Sequence, residues 1–227
     1  MFEFSDTWRK TYPTASVGVL AIGSVENPEF CPPLEAEKER LEIDLRARFN
    51  GQDRKALTAL PTLQCYAAYL KPFNKNYHVF FQLESVALKG KPIPRVAALV
   101  EAMFMAELKT QLLTAGHDLD RLVLPARLEV AEGSESYTLM NGQEQILKAG
   151  DMYFADRLGI ISDIIYGPDQ RTSITPLTTR VIFTTYAPPG IFPAQVAENL
   201  ECIEGYVRLI SPRAITELKQ VYEAQYD

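Results

Sequence analysis

Two histidines and two glutamates are the residues whose setting in this chain could do chemistry. His117 lies in the run Thr114-Ala115-Gly116-His117-Asp118-Leu119-Asp120. An imidazole in a turn beside two carboxylates can act as a general base or orient a substrate. The same run also reads as a turn capped by Asp118 or Asp120, with His117 serving only backbone groups. His78 follows the polar stretch Asn74 to Tyr77, a surface or cleft position. Glu101 and Glu107 interrupt an apolar helical run, Ala98 to Leu108. A buried carboxylate needs a partner. Either glutamate, facing a cleft, could hold an ammonium group. An exposed face paired with Arg95 or Lys109 is the simpler arrangement. Met103 and Met105 read as core.

Several chemistries have no signature here. The chain lacks a phosphate-cradling GxxxxGK[ST], a GxGxxG after a strand, a GxSxG, a CxxC and an HExxH. Two histidines exclude a site with three histidine ligands, and no metal or cofactor is expected. The cysteines, Cys31, Cys65 and Cys202, are odd in number and widely spaced. That fits a reducing compartment rather than a disulfide framework. The N-terminus lacks the order of a signal peptide, and no apolar run reaches the ~18 residues of a membrane span. A cytoplasmic protein without membrane contact is expected.

The net charge of −6 argues against bulk binding of DNA or RNA. The charge is uneven, however. Between Lys71 and Arg95 stand Lys71, Lys75, Lys89, Lys91 and Arg95 against Glu84 alone. These five read as a solvated face or as a patch for RNA phosphates.

The elements that must position these residues follow from periodicity. The segment 17–25 reads as a buried strand. Helices are expected at 34–49, after Asp53, at 61–70, 80–89 and 94–110. From His117 to Tyr186 the pattern becomes strands and turns. Asn141-Gly142 predicts a two-residue hairpin turn, and 136–189 reads as one antiparallel meander. The segment 192–209 returns to helical spacing. Ser211-Pro212 reads as a cap and first-turn proline opening a last helix to about Tyr222. The composition is that of a folded α+β chain, 47% hydrophobic and 23% charged.

One progression carries more. Lys91-Pro92-Ile93 before a helix, His117 to Leu122, Asn141-Gly142 with Leu147, Phe154-Ala155-Asp156 and Ile164 to Gly167 occur in a set order. That order resembles the B3/B4 editing module of the phenylalanyl-tRNA synthetase beta chain, over about residues 61–190. The chain looks like a free-standing B3/B4 protein. The resemblance implies one α+β domain over 1–227, antiparallel and β-rich, with a strand–helix piece at 15–58 and C-terminal helices at 192–226 packed on it. It implies deacylation of mischarged aminoacyl-tRNA in trans, with binding of tRNA or an amino-acid-like ligand as the alternative. Partners would be aminoacylated tRNA and its amino-acid moiety. His117 matches the family's editing histidine. Tyr166-Gly167-Pro168 matches its glycine loop, which would hold the ester. Val100-Glu101 stands where the family has a Thr-Asn pair. Thr184 stands where it has the glutamate that reads tyrosine's hydroxyl. Glu101 and Thr184 would then line a pocket for a different side chain.

Overall fold

The computed structural model describes residues 2–225. The elements are β1 (Phe2–Phe4), α1 (Asp6–Thr11), β2 (Ser16–Gly23), α2 (Pro32–Arg48), α3 (Arg54–Thr58), α4 (Pro61–Leu70), α5 (His78–Leu83), α6 (Ala98–Thr110) and β3 (Leu113–Asp118). Then follow β4 (Ala126–Val130), β5 (Ser136–Thr138), β6 (Glu144–Ile146), β7 (Met152–Asp156), β8 (Gly159–Asp163), β9 (Gly167–Pro168), β10 (Arg180–Ala187), α7 (Pro193–Ile210) and β11 (Ile215–Glu223). With 38% helix and 26% strand in antiparallel-rich sheets, the chain is α+β. None of the described helices is long and apolar enough to cross a membrane.

A four-stranded sheet in the order β11-β2-β10-β3 forms the centre, with antiparallel pairs throughout. A second sheet, β1-β4-β7-β8-β9, packs beneath it. The ring of Phe154 meets that of Tyr186 at 5.6 Å, and the Tyr186 hydroxyl lies 2.7 Å from Ser162 Oγ. Trp8 donates its indole N–H to Met152 Sδ at 3.1 Å, pinning α1 under the same sheet. β2 is buried along its whole length because both faces are covered, which accounts for its run of apolar and small residues.

α7 covers the other face. Its buried residues Val196, Leu200, Ile203, Val207 and Ile210 recur every three or four positions, one stripe of a helix. A polar cluster fixes the register. Asn199 Nδ2 donates to Thr185 Oγ1 at 2.8 Å and Thr114 Oγ1 at 3.1 Å, while Thr110 donates to Asn199 Oδ1 at 2.7 Å. Close approach of α7 to β2 needs glycine at Gly18. A Cβ there would stand 2.6 Å from Val196 Cγ1 and 3.0 Å from Leu200 Cδ2. Gly18→Ala should therefore overpack the layer and lower unfolding free energy by about 1–3 kcal/mol. Urea denaturation measures this, and an unchanged midpoint would refute the packing.

The helices expected at 34–49, 61–70 and 192–209 are present within a few residues. Asp53 caps α3 by accepting from Ala56 N at 2.9 Å. The 80–89 helix begins earlier, at His78, and ends in a π-turn, Glu84–Leu88. α6 begins at Ala98 rather than Pro94.

Three expectations fail. The segment 212–222 is not a helix, and residue 226, the far end of the expected C-terminal helices, lies outside the described residues. Ser211 Oγ accepts from Glu26 N at 2.8 Å instead of capping a helix, and Ile215–Glu223 pairs with β2 as an edge strand. The β-branched and aromatic Ile215, Thr216, Val221 and Tyr222 suit a half-covered strand. The segment 136–189 is not one meander, for its strands are shared among three sheets. Asn141-Gly142 does turn a hairpin, but the loop is Met140-Asn141-Gly142. Leu139 N bonds Gln143 O at 2.9 Å, and only Gly142 has positive φ.

Candidate functional site

The site grows from the junction of α6 and β3. Gln111 closes α6 in the left-handed conformation, its N–H donating to Glu107 O at 2.7 Å, and the chain turns straight into β3. This turn carries the strand back past the last turn of its own helix. Thr114 N therefore reaches the Glu107 side chain, donating to Oε1 at 2.8 Å.

β3 is an edge strand, and its free edge can be read from its bonds. Leu113 N donates to Tyr66 Oη at 2.8 Å, and that hydroxyl bonds Tyr186 O in turn, so the odd positions face β10. Thr114 N goes to Glu107, and Asp118 N to Thr172 O at 2.8 Å, away from β10. By the two-residue alternation of the ladder, Gly116 N–H and C=O face this same free edge.

Beside that edge lies a cavity of about 280 Å³. Leu113 to Gly116 form one wall. Val100, Met103, Phe104 and Glu107 of α6 form the next, the i, i+3, i+4, i+7 spacing of one helix face. The turn between β8 and β9, with Asp163, Ile164, Gly167 and Pro168, forms a third. His78 and Met140 are exposed and stand at the rim. The walls are mostly apolar, with few polar groups, as expected of a small-ligand site.

Glu107 is 1% exposed, and its Oε2 has no hydrogen-bond partner. Burial pushes its carboxyl pKa up to about 8, against a weaker opposing pull from Thr114 N–H. A buried carboxyl oxygen without a partner, in a residue that lines a cavity, calls for an explanation.

Asp163 shapes the third wall. Its Oδ1 accepts from Tyr166 N at 2.7 Å, Gly167 N at 2.9 Å and the Tyr137 hydroxyl at 3.0 Å. Gly167 adopts φ +86, a conformation that favours glycine. Asp151, which accepts from the Tyr69 hydroxyl at 2.6 Å, lies near Asp163. Burial raises the pKa of both acids, and for Asp151 the neighbouring Asp163 adds to it.

The expected site residues divide. Gly167 and Pro168 line the cavity. The amides of Tyr166 and Gly167 are committed to Asp163, so they do not offer donors to an ester oxygen. His117 is not in a turn. It lies in β3, paired with Ile182 of β10, fully buried and outside the cavity. The Thr172 hydroxyl donates to Asp169, so it accepts from His117 Nδ1–H at 2.8 Å and leaves the buried Nε2 bare. Burial, then nearby Arg171, lowers the His117 pKa to about 3. Such an imidazole stays neutral and is walled off from a ligand.

Thr184 lies one strand further in, opposite Ala115, fully buried and outside the cavity. Glu101 faces α2, about a quarter-turn from Val100. Its Oε2 meets Lys38 Nζ at 2.6 Å, and its Oε1 accepts from Val96 N at 2.7 Å. The ammonium it was expected to bind is thus one of the chain's own.

Lys89 pairs with Glu84 and Arg95 with Glu35. The Lys91 carbonyl accepts from Arg46 of α2 at 3.2 Å. Lys71 and Lys75 instead line a cleft next to the cavity. Sequence reasoning missed Asp163, Tyr186 and Gly116 as cavity residues. The spacing from Val100 to Glu107 was the available signal.

No protein-family model matches the chain, and no curated protein matches it. Among solved structures, the chain is similar to an N-terminal fragment of the phenylalanyl-tRNA synthetase beta subunit from Pyrococcus horikoshii. The identity is 9% and the TM-score 0.49, covering 96% of this chain and 54% of that one. The chain thus spans about half the length of that fragment.

Proposed function

We propose that this protein is a binding module for an amino-acid-like ligand with a free ammonium group and an apolar side chain. The observation that carries this is the partnerless Glu107 Oε2 at the wall of an otherwise apolar cavity. An ammonium placed there completes the carboxylate's bonding. The free edge of Gly116 offers an N–H and a C=O to the ligand's own amide or ester. Val100, Met103 and Phe104 receive the side chain. Calorimetry with phenylalaninamide, leucinamide and their N-acetyl forms tests the reading. The free-ammonium forms should bind and the acetylated ones should not. Equal binding of both, or of neither, sinks it.

A second reading is deacylation of mischarged aminoacyl-tRNA, supported by the order of the sequence motifs. One feature of the site favours it: a carboxyl whose pKa is near 8 suits a general base at neutral pH. The base would be Glu107, and His117 would have no part in the reaction. Incubation with a panel of mischarged tRNAs decides it. Release no faster than in buffer, or release that persists in Glu107→Gln, rejects this chemistry.

A further inference from the structure

Two acids line the cavity beside β3, and no lysine or arginine does. Glu107 reaches it from α6 and Asp163 from the turn between β8 and β9. Each is 1% exposed, and each keeps one oxygen, Oε2 and Oδ2, with no amide or hydroxyl partner. Asp151, fully buried and outside the cavity lining, offers Asp163 a further hydrogen bond through its own carboxyl proton. Among the described residues, no ion pair involves any of these three acids. The other titratable groups around Asp151 and Asp163 are phenols, those of Tyr12, Tyr69, Tyr137, Tyr166 and Tyr186, and burial holds their protons on. Lys75 stands over the Tyr166 ring, Nζ 4.7 Å from its centroid, rather than against an acid. His78 is the only basic side chain among the lining residues, and desolvation lowers its pKa and keeps it neutral at pH 7.

A buried carboxylate with no cation is costly. Burial accordingly makes all three acids hold their protons more tightly than in water. A ligand cation removes that cost by standing where the proton stands. The two lining acids differ in what they adjoin. Glu107 accepts from Thr114 N at 2.8 Å, two residues from the free main chain of Gly116, which suits the ammonium next to a ligand's own carbonyl. Asp163 is fixed through Oδ1 by Tyr166 N, Gly167 N and the Tyr137 hydroxyl, which leaves Oδ2 for a ligand. The remaining lining is mostly apolar, with Val100, Met103, Phe104, Ile164 and Ile174. An alkyl stem with an ammonium at its tip suits such a space, its methylenes against the apolar walls and its charge at an acid.

We propose that the cavity takes a ligand with two ammonium groups joined by an alkyl stem, Glu107 holding the α-ammonium and Asp163 the one at the tip. This rests on the amino-acid reading and narrows its ligand class to α,ω-diamino acids. Asp163 is then the residue that separates a basic side chain from an apolar one of the same length. A hydrogen bond between two charged partners is stronger than one between neutral groups, and the apolar surroundings exclude the competing water.

The test compares three ligands by calorimetry. Lysinamide carries both ammonium groups, norleucinamide has the same stem without the second, and 1,5-diaminopentane has both without the carboxamide. Lysinamide should bind about tenfold more tightly than norleucinamide, or better. Asp163→Asn keeps an acceptor for Tyr166 N and Gly167 N, and it should erase that advantage while norleucinamide binds as before. Glu201→Gln, on the exposed face of α7, should leave the advantage intact. Equal binding of the two amides in the wild type, an advantage that survives in Asp163→Asn, or an equal loss in Glu201→Gln overturns the second ammonium site alone. Binding of 1,5-diaminopentane with neither amide bound rejects the amino-acid reading and keeps the pair of acids as a diamine site. Binding of none of the three rejects both.

Discussion

Glu107→Gln is expected to abolish binding of free-ammonium amino-acid amides while leaving the folded protein intact. Glutamine keeps the acceptor for Thr114 N and removes the capacity to ionise. Losing one partner of a buried charge pair costs about 2–5 kcal/mol of binding. Calorimetry against phenylalaninamide measures it, and retained affinity would exclude Glu107 as the reader of the ammonium. Because Glu107 holds its proton to about pH 8, binding a cation at neutral pH should also release a proton in the wild type and none in the variant.

The same substitution should change how stability depends on pH. The folded chain keeps the Glu107 proton up to about pH 8, whereas a free glutamate loses it near 4.5. The folded state therefore holds the extra proton between these values. The contribution is complete below pH 4.5, shrinks as pH rises, and is gone above 8. Its size is about 5 kcal/mol at one unit per 1.36 kcal/mol. His117 works in the opposite sense. Its folded pKa of about 3 lies below the ordinary 6.5, so stability falls as pH drops through that window. The two slopes oppose each other between 4.5 and 6.5. From 6.5 to 8 the His117 slope no longer opposes that of Glu107. Urea denaturation across pH should show wild-type stability declining over that last interval and a shallower decline in Glu107→Gln. Parallel curves would contradict the assignment.

Lys38→Met is expected to be the most damaging single change to the fold. Lys38 is 4% exposed and Glu101 2%. Burial works against the Lys38 ammonium, but hydrogen bonds to Glu101 and Glu35 outweigh it and raise its pKa. Removing the ammonium leaves Glu101 buried beside Val96 N alone. Breaking a buried pair from one side costs about 3–5 kcal/mol. Adding Glu101→Gln should restore most of the loss, since no uncompensated charge then remains. A double-mutant cycle by urea denaturation reads both numbers. A loss below about 1 kcal/mol in the single variant would mean that the pair does not join α2 to α6.

The buried strand β2 and helices α2 and α7 were legible from the spacing of their apolar residues, α4 from its first-turn proline and α6 from its helix-forming composition. β11 was not legible, because Ser211-Pro212 has the chemistry of a helix start and only a distant contact, Glu26 N, diverts the serine. The site was half legible. Gly167 and Pro168 could be placed from their turn, and the glutamates of α6 drew notice as charges in an apolar run. Which glutamate faces the cavity depends on rotation about the helix axis. That rotation is fixed by Lys38, 63 positions away along the chain. His117 misled because its neighbours, Asp118 and Asp120, suggest a solvated turn. The strand pairing that buries it, Ile182 opposite His117, leaves no local trace.

With an amino acid bound as proposed, the free edge of β3 would separate two tasks within one cavity. Gly116 presents only main chain, so it would meet the part common to every α-amino acid. Side-chain discrimination would then fall to Val100, Met103 and Phe104, which line the cavity from a different element. Ligand preference can thus drift by substitution on α6 while docking of the shared part stays constant. The cavity therefore behaves as a vacant strand position with an interchangeable lining.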